Sequence, residues 1–135
     1  MKLLIDANII LDVLQQREPH CKDSSLIWKM CETNKATGYV SSLTFANIVY
    51  VMKKELSPKR IEEVLNALSL IFIFVDLTMV DLKNAAASQM KDYEDAIQVN
   101  TAERVGAEYI ITRNVKDFLG SKIPAYTPTE FLSRV

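Results

Sequence analysis

Asp6, Asp92, Asp95 and Asp117 are the residues whose type and placement could do chemistry. Asp6 interrupts an otherwise apolar start, LLIDANIILDVL, Asp92 and Asp95 stand three apart in DYEDAIQVNTAERVG, and Asp117 closes the stretch TRNVKD. Each also has an ordinary structural use. Asp6 can cap a helix, Asp92 and Asp95 suit a first turn where the helix dipole favours acids, and Asp117 can cap in a loop. Brought together they need something more, because converging carboxylates repel and raise one another's pKa unless a cation neutralises them. For hard oxygen donors the fitting counter-ion is Mg2+ or Mn2+, held by a few carboxylates plus water and substrate phosphate.

Convergence depends on the elements that carry these acids. KLLI reads as a buried strand, followed by a helix from about Ala7 to Gln16 that the REP stretch ends. HCKDSSLIWKMCETN gives a helix with Leu26, Ile27, Trp28, Met30 and Cys31 on a broad apolar face, and ATGYVSS a second strand. LTFANIVYVMKKEL is helical, and SPKRIEEVLNALSLIF restarts a helix with Ser57 as N-cap and Pro58 at its first position. IFVDL is a third strand, and TMVDLKNAAASQM a helix that Thr78 caps. DYEDAIQVNTAERVG is a helix ended by Gly106, AEYIIT a fourth strand, NVKDFLGS a short turn or helix, and IPAYT a last strand. Thr127, Pro128 and Glu130 form a capping box for TEFLSRV.

Strands separated by helices imply parallel pairing through right-handed crossovers. The expected fold class is therefore α/β, a three-layer α/β/α sandwich around a central, mainly parallel sheet of about five short strands. No repeat or Pro/Gly/Ser-rich linker divides the sequence, so residues 1–135 are expected to form a single domain. Ligands in such sheets bind beyond the carboxyl ends of the strands. Asp6, Asn47, Asp92, Asp95, Thr112, Asn114 and Asp117 all fall there in the expected topology.

Composition narrows the chemistry. With 16 Lys and Arg against 17 Asp and Glu, the formal net charge of -1 supplies no global field for nucleic acid, so any such contact is local. Arg113 and Lys116, beside the acids, are the candidate contacts to a phosphate backbone; Lys53, Lys54, Lys59 and Arg60 read instead as a solvated helix junction. Cys21, Cys31 and His20 cannot make a four-ligand zinc site, and one histidine cannot supply the acid and base of histidine-based RNA cleavage. Free thiols, no signal-peptide pattern and no stretch of about 20 apolar residues lead to the expectation of a cytoplasmic protein with no membrane contact. Trp28, Leu26, Ile27, Met30, Ile48, Val49, Tyr50 and Val51 are expected to be core, the alternative being that part of them forms a surface for a protein partner.

LLIDANIILDVL, the helix LTFANIVYVMKK, DYEDAIQVNTAERVGAEYIITRNVKDF and the closing YTPTEFL, in this order, resemble a PIN domain of the kind found in VapC-like toxins. The resemblance spans nearly the whole chain. It implies a metal-dependent endoribonuclease whose clustered acids bind Mg2+ or Mn2+. Asp6 matches the first family acid, Asp95 the acid opening the late helix with Asp92 as companion, and Asp117 the acid after the fourth strand. Asp6, Asp95 and Asp117 are the implied catalytic acids and, with Asp92, the metal ligands; Asn8, Asn47, Thr112 and Asn114 are supporting polar positions. The family often has Glu where this chain has Asn47 and Asp where it has Asn114. The resemblance also implies an RNA substrate, a homodimer and an antitoxin protein.

Other readings fit less well. A haloacid-dehalogenase-like phosphatase wants a second acid two residues after the first, where Asn8 stands. A receiver domain could use Asp76 and Thr112 but wants an acid pair after the first strand and a lysine after the fifth, where the chain reads IPAYTPTEF. The serious alternative is a PIN-like module that binds RNA or protein without cutting, its metal site degraded at Asn47 and Asn114.

Overall fold

The computed structural model describes residues 1–135. The chain runs β1 (Lys2–Ile5), α1 (Ala7–Leu14), α2 (Cys21–Glu32), β2 (Thr37–Ser41), α3 (Ser42–Met52), α4 (Pro58–Ile71), β3 (Ile73–Val75), α5 (Met79–Ala87), α6 (Tyr93–Val105), β4 (Tyr109–Ile111), a 3-10 turn (Val115–Phe118), β5 (Ala125–Tyr126) and α7 (Pro128–Leu132). The five strands form one sheet in the order β3-β2-β1-β4-β5, and every pairing is parallel. The chain starts at the central strand, winds to one edge, then crosses back to fill the other. That reversal between β1 and β4 opens a crevice at their carboxyl ends.

Alternation along β1 builds the two faces. Leu3 and Ile5 enter the larger core, with Ile9, Ile10, Ile27, Val40 and Ile48, beneath α1, α2, α3, α4 and α7. Leu4 points to the opposite core with Val99, Ala102, Ile110 and Phe118, beneath α6 and the 3-10 turn. Each fully buried Leu or Ile contributes roughly 1.5–3 kcal/mol relative to exposure, so a one-residue slip of β1 would be prohibitive. Gly38 in β2 keeps the first face close-packed: a Cβ there would lie 2.8 Å from both Cys31 Sγ and a Phe72 ring carbon.

Local signals set the helix ends. Ser57 caps α4 with Pro58 behind it, and Thr78 with Asp81 and Thr127 with Glu130 close reciprocal capping boxes. Gly106, at φ +75, ends α6 in the left-handed conformation and turns the chain into β4. Two expectations change. Helix α1 stops at Leu14, and the α2 face is narrower than its apolar residues suggest: Ser24, Ile27 and Cys31 are buried, while Leu26 is exposed. Tyr50 likewise points to solvent, because α3 buries only the Thr44, Ile48, Met52 stripe. Both cysteines are free, and no helix is long and apolar enough to cross a membrane.

Candidate active site

Three elements deliver acids to the crevice. Asp6 follows β1 and caps α1, its Oδ1 accepting from the Ala7 N–H at 2.8 Å. Its other oxygen, Oδ2, accepts from Thr112 Oγ1 at 2.8 Å, across from the end of β4. Asp92 caps α6 by accepting from the Asp95 N–H at 2.9 Å, which seats Asp95 in the first turn. Asp117 lies in the 3-10 turn after β4. Asp92, Asp95, Asp117 and Lys116 border an open cleft of about 890 Å³, and Asp6 sits beside it.

The charges of these acids act on one another. Burial raises the Asp6 pKa above the ordinary carboxylate range, opposed by hydrogen bonds from Thr112, Ala7 and Gln98 and assisted by the charge of Asp117. Asp95 is pushed up to about 6, first by burial and then by the charges of Asp92, Asp117, Asp6 and Glu94. Asp6, Asp95 and Asp117 therefore lie near enough to feel one another's charge, although they are far apart in sequence.

No three carboxylates come close enough together to hold one ion between them. The donor chemistry still fits a hydrated divalent ion, because Mg2+ commonly takes one or two carboxylates and fills its remaining positions with water and phosphate. Apart from the nearby Gln98 amide, each Asp6 oxygen accepts a single hydrogen bond, from Ala7 or from Thr112, and keeps a further lone-pair direction.

The supporting residues divide. Thr112 is fully buried, and its hydroxyl both donates to Asp6 and accepts from the Asn114 N–H at 3.0 Å. Asn114 contributes through that backbone group, while its side chain is exposed. Asn47 is exposed and Asn8 keeps a buried Oδ1 with no partner; neither borders the cleft. Arg113 departs from expectation. Its Nε lies 3.1 Å from Asp12 Oδ2, without the alignment of a hydrogen bond, and the side chain borders a separate cleft between α2 and the start of α7. A carboxylate with no solvent exposure needs a cation, and Asp12 takes Arg113 for that purpose, so the arginine is unavailable to a phosphate at the acidic site.

Gln98 was not legible as a site residue. It is buried on α6, where its Oε1 accepts from Ser41 Oγ at 2.7 Å and its Nε2 donates to Thr44 Oγ1 at 2.7 Å. Ser41 has one proton to donate and spends it on Gln98, while its oxygen caps α3 by accepting from the Thr44 N–H at 3.2 Å. This network joins the end of β2, the start of α3 and the Asp6 carboxylate. The available signal was a glutamine inside the apolar run AIQV, three residues after Asp95.

The sequence model of the PIN domain matches residues 2–116, which covers Asp6, Asp92 and Asp95 and stops one residue short of Asp117. The chain belongs to the PIN domain family. Across 98% of its length this PIN domain is 30% identical to Ribonuclease VapC1 of Aquifex aeolicus (strain VF5), of which 94% is covered. A toxin-antitoxin complex from Klebsiella pneumoniae contains a chain that superposes with a TM-score of 0.73 at 24% identity, covering 93% of this chain and 97% of that one. VapBC2 from Rickettsia felis, bound to a DNA fragment from its promoter, contains another at TM-score 0.73 and 15% identity, covering 94% and 98%. The five-stranded fold described above is thus a known one.

Proposed function

We propose that this PIN domain is a divalent-metal-dependent endoribonuclease and the toxin of a toxin-antitoxin pair, with an antitoxin protein as its partner and cytoplasmic RNA as its substrate. The observation that carries the reading is the approach of Asp6, Asp95 and Asp117, on three separate elements, to within reach of one another's charge, with Asp95 and Asp117 lining one polar cleft. The full-length similarity to Ribonuclease VapC1 supports it.

In this reading Asp6 and Asp95 are the principal ligands of Mg2+ or Mn2+, with Asp117 as a further ligand or water-orienting group and Asp92 holding Asp95 in place. A bound ion supplies a water of lowered pKa and neutralises charge on the phosphodiester oxygens. The protein groups do the rest. Thr112 and the Ala7 N–H fix the two Asp6 oxygens, so the carboxylate needs no rearrangement when substrate arrives. Asp117, in the 3-10 turn at the edge of the cleft, is the group left to orient the attacking water. Lys116 offers its ammonium group to the phosphate, while Asn8, Asn47 and Asn114, which do not line the cleft, act as outer supports.

The absence of a three-acid cluster favours a second reading, in which the domain binds RNA or a protein without cutting it. One assay separates them. Purified protein is incubated with mixed RNA and Mg2+ or Mn2+, beside Asp6→Asn and Asp95→Asn variants. The nuclease reading expects ion-dependent cleavage lost in both variants; no cleavage by the wild type, or equal cleavage by all three, leaves the binding module.

A further inference from the structure

The cleft is much larger than four acids need. From Asp95 and Asp117 it continues between α5, α6 and the segment after the 3-10 turn, and its volume of about 890 Å³ falls in the range of small-ligand sites, roughly 300–1,000 Å³. That is room for an unpaired nucleotide beside the scissile phosphate and too little for a duplex.

The chemistry of this arm is ordered. Lys91 and Lys122 border it, are exposed, and join none of the ion pairs of the molecule. They offset the arm's acid, Glu103, and are available to phosphate oxygens. Leu119 is 82% exposed on the cleft, opposite the half-buried Met90, giving an apolar wall to a flat ring.

On α6, Asn100 and Glu103 stand three apart and so share a face of the helix. Asn100 Nδ2 donates one proton to the Ala96 carbonyl at 2.8 Å, which fixes the amide orientation and leaves its Oδ1 unpaired. Glu103 is an acceptor when ionised and exposed. On this face of α6 the acceptors open to a base are thus Asn100 Oδ1 and the Glu103 carboxylate.

We propose that this arm is a nucleotide subsite that seats one unpaired base flanking the cleaved phosphodiester, favouring the amino-bearing bases cytosine and adenine over uracil. It rests on the endoribonuclease reading above and assigns that site its substrate preference. Lys91 and Lys122 hold the flanking phosphates, Leu119 and Met90 pack the ring, and Asn100 with Glu103 accept from the exocyclic amino group. Uracil presents a carbonyl at the position where cytosine carries its amino group, and a carbonyl facing two acceptors is repelled.

The test is fluorescence anisotropy with labelled single-stranded decamers of cytidine and of uridine, and a mixed-sequence decamer in single-stranded and duplex form, with Ca2+ replacing Mg2+ or Mn2+ to limit turnover. The cytidine decamer is expected to bind about tenfold tighter than the uridine one, and Asn100→Ala with Glu103→Gln to reduce that ratio to about twofold or less. Lys91→Ala with Lys122→Ala is expected to weaken both about tenfold and to lower the slope of log affinity against log salt by about 1.4, roughly 0.7 per lost phosphate contact. Leu119→Ala is expected to weaken binding about tenfold with the slope unchanged. Equal affinity for cytidine and uridine, a preference untouched by the α6 variants, an unchanged slope in the lysine variant, or duplex binding as tight as single-stranded overturns the proposal. Cleavage is scored separately. Cleavage without the base preference removes the subsite and spares the nuclease, whereas the base preference without cleavage does the reverse.

Discussion

Thr112 Oγ1 lies 2.8 Å from Asp6 Oδ2, joining a strand end and a helix cap that are 106 residues apart. The same hydroxyl receives the Asn114 N–H, so one buried group fixes both the first acid and the start of the loop that carries the last. Thr112→Val keeps the shape and removes the donor. It is expected to cost about 1–3 kcal/mol, because the Asn114 N–H and an Asp6 oxygen lose their partner. Urea denaturation reads that loss, and single-turnover cleavage is expected to fall at least as steeply. Thr112→Ser should recover most of both.

Gln98 makes a second, independent hold on the site. Gln98→Leu leaves the Ser41 and Thr44 hydroxyls buried without their 2.7 Å partners and removes an amide whose proximity favours ionised Asp6. A destabilisation of roughly 2–3 kcal/mol is expected. Isothermal titration is expected to show weakened Mn2+ binding as well, which separates a loosened Asp6 from a merely strained core; unchanged Mn2+ affinity would remove Gln98 from the account of the site.

Arg113 tests the division between the two clefts. Asp12 has no solvent exposure and is approached by Arg113 at 3.1 Å, by Ser24 at 3.2 Å and more distantly by Arg17 at 4.0 Å. Arg113→Ala strands that carboxylate and is expected to destabilise the fold by about 3–5 kcal/mol. Arg113→Ala with Asp12→Asn restores part of it. In neither variant should the salt slope of RNA binding change, since Arg113 touches no phosphate; a slope lowered by about 0.7 would return the arginine to the substrate path.

Residue types and order made the fold legible, and the reason is physical. Apolar runs of strand length, caps such as Ser57 and Thr127, and the stop at Gly106 are local, so the sequence displays them directly. The convergence of Asp6, Asp95 and Asp117 followed from topology, since parallel strands place their carboxyl ends on one side. What stayed hidden depends on direction of approach. Arg113 stands next to Thr112 in the chain, yet successive residues leaving β4 point to opposite faces, sending one to Asp6 and the other to Asp12. Gln98 was hidden because its partners, Ser41 and Thr44, lie 57 and 54 residues away. Leu26 and Tyr50 misled because an apolar residue on a helix is exposed whenever the buried stripe is narrow.

Asp95 carries the sharpest opposition between stability and activity. Burial and four neighbouring acids push its pKa from 3.8 up to about 6, so in this range the folded state holds a proton that the unfolded chain has released. With fewer protons bound to the unfolded chain, stability falls as pH rises from about 4 to 6, and above 6 the whole cost of the ionised group is present. Asp95→Asn removes that cost. The variant is expected to melt roughly 2–4 °C higher than the wild type at pH 7.5, with the gap closing as the pH is lowered toward 4. It is also expected to lose cleavage and the upward Tm shift that Mn2+ gives the wild type, because an amide neither repels its neighbours nor attracts the ion that would calm them. Differential scanning fluorimetry over pH, with and without Mn2+, reads both effects. A variant less stable than the wild type at pH 7.5, or one still stabilised by Mn2+ to the same extent, would show that Asp95 is held by its cap and not strained by its neighbours.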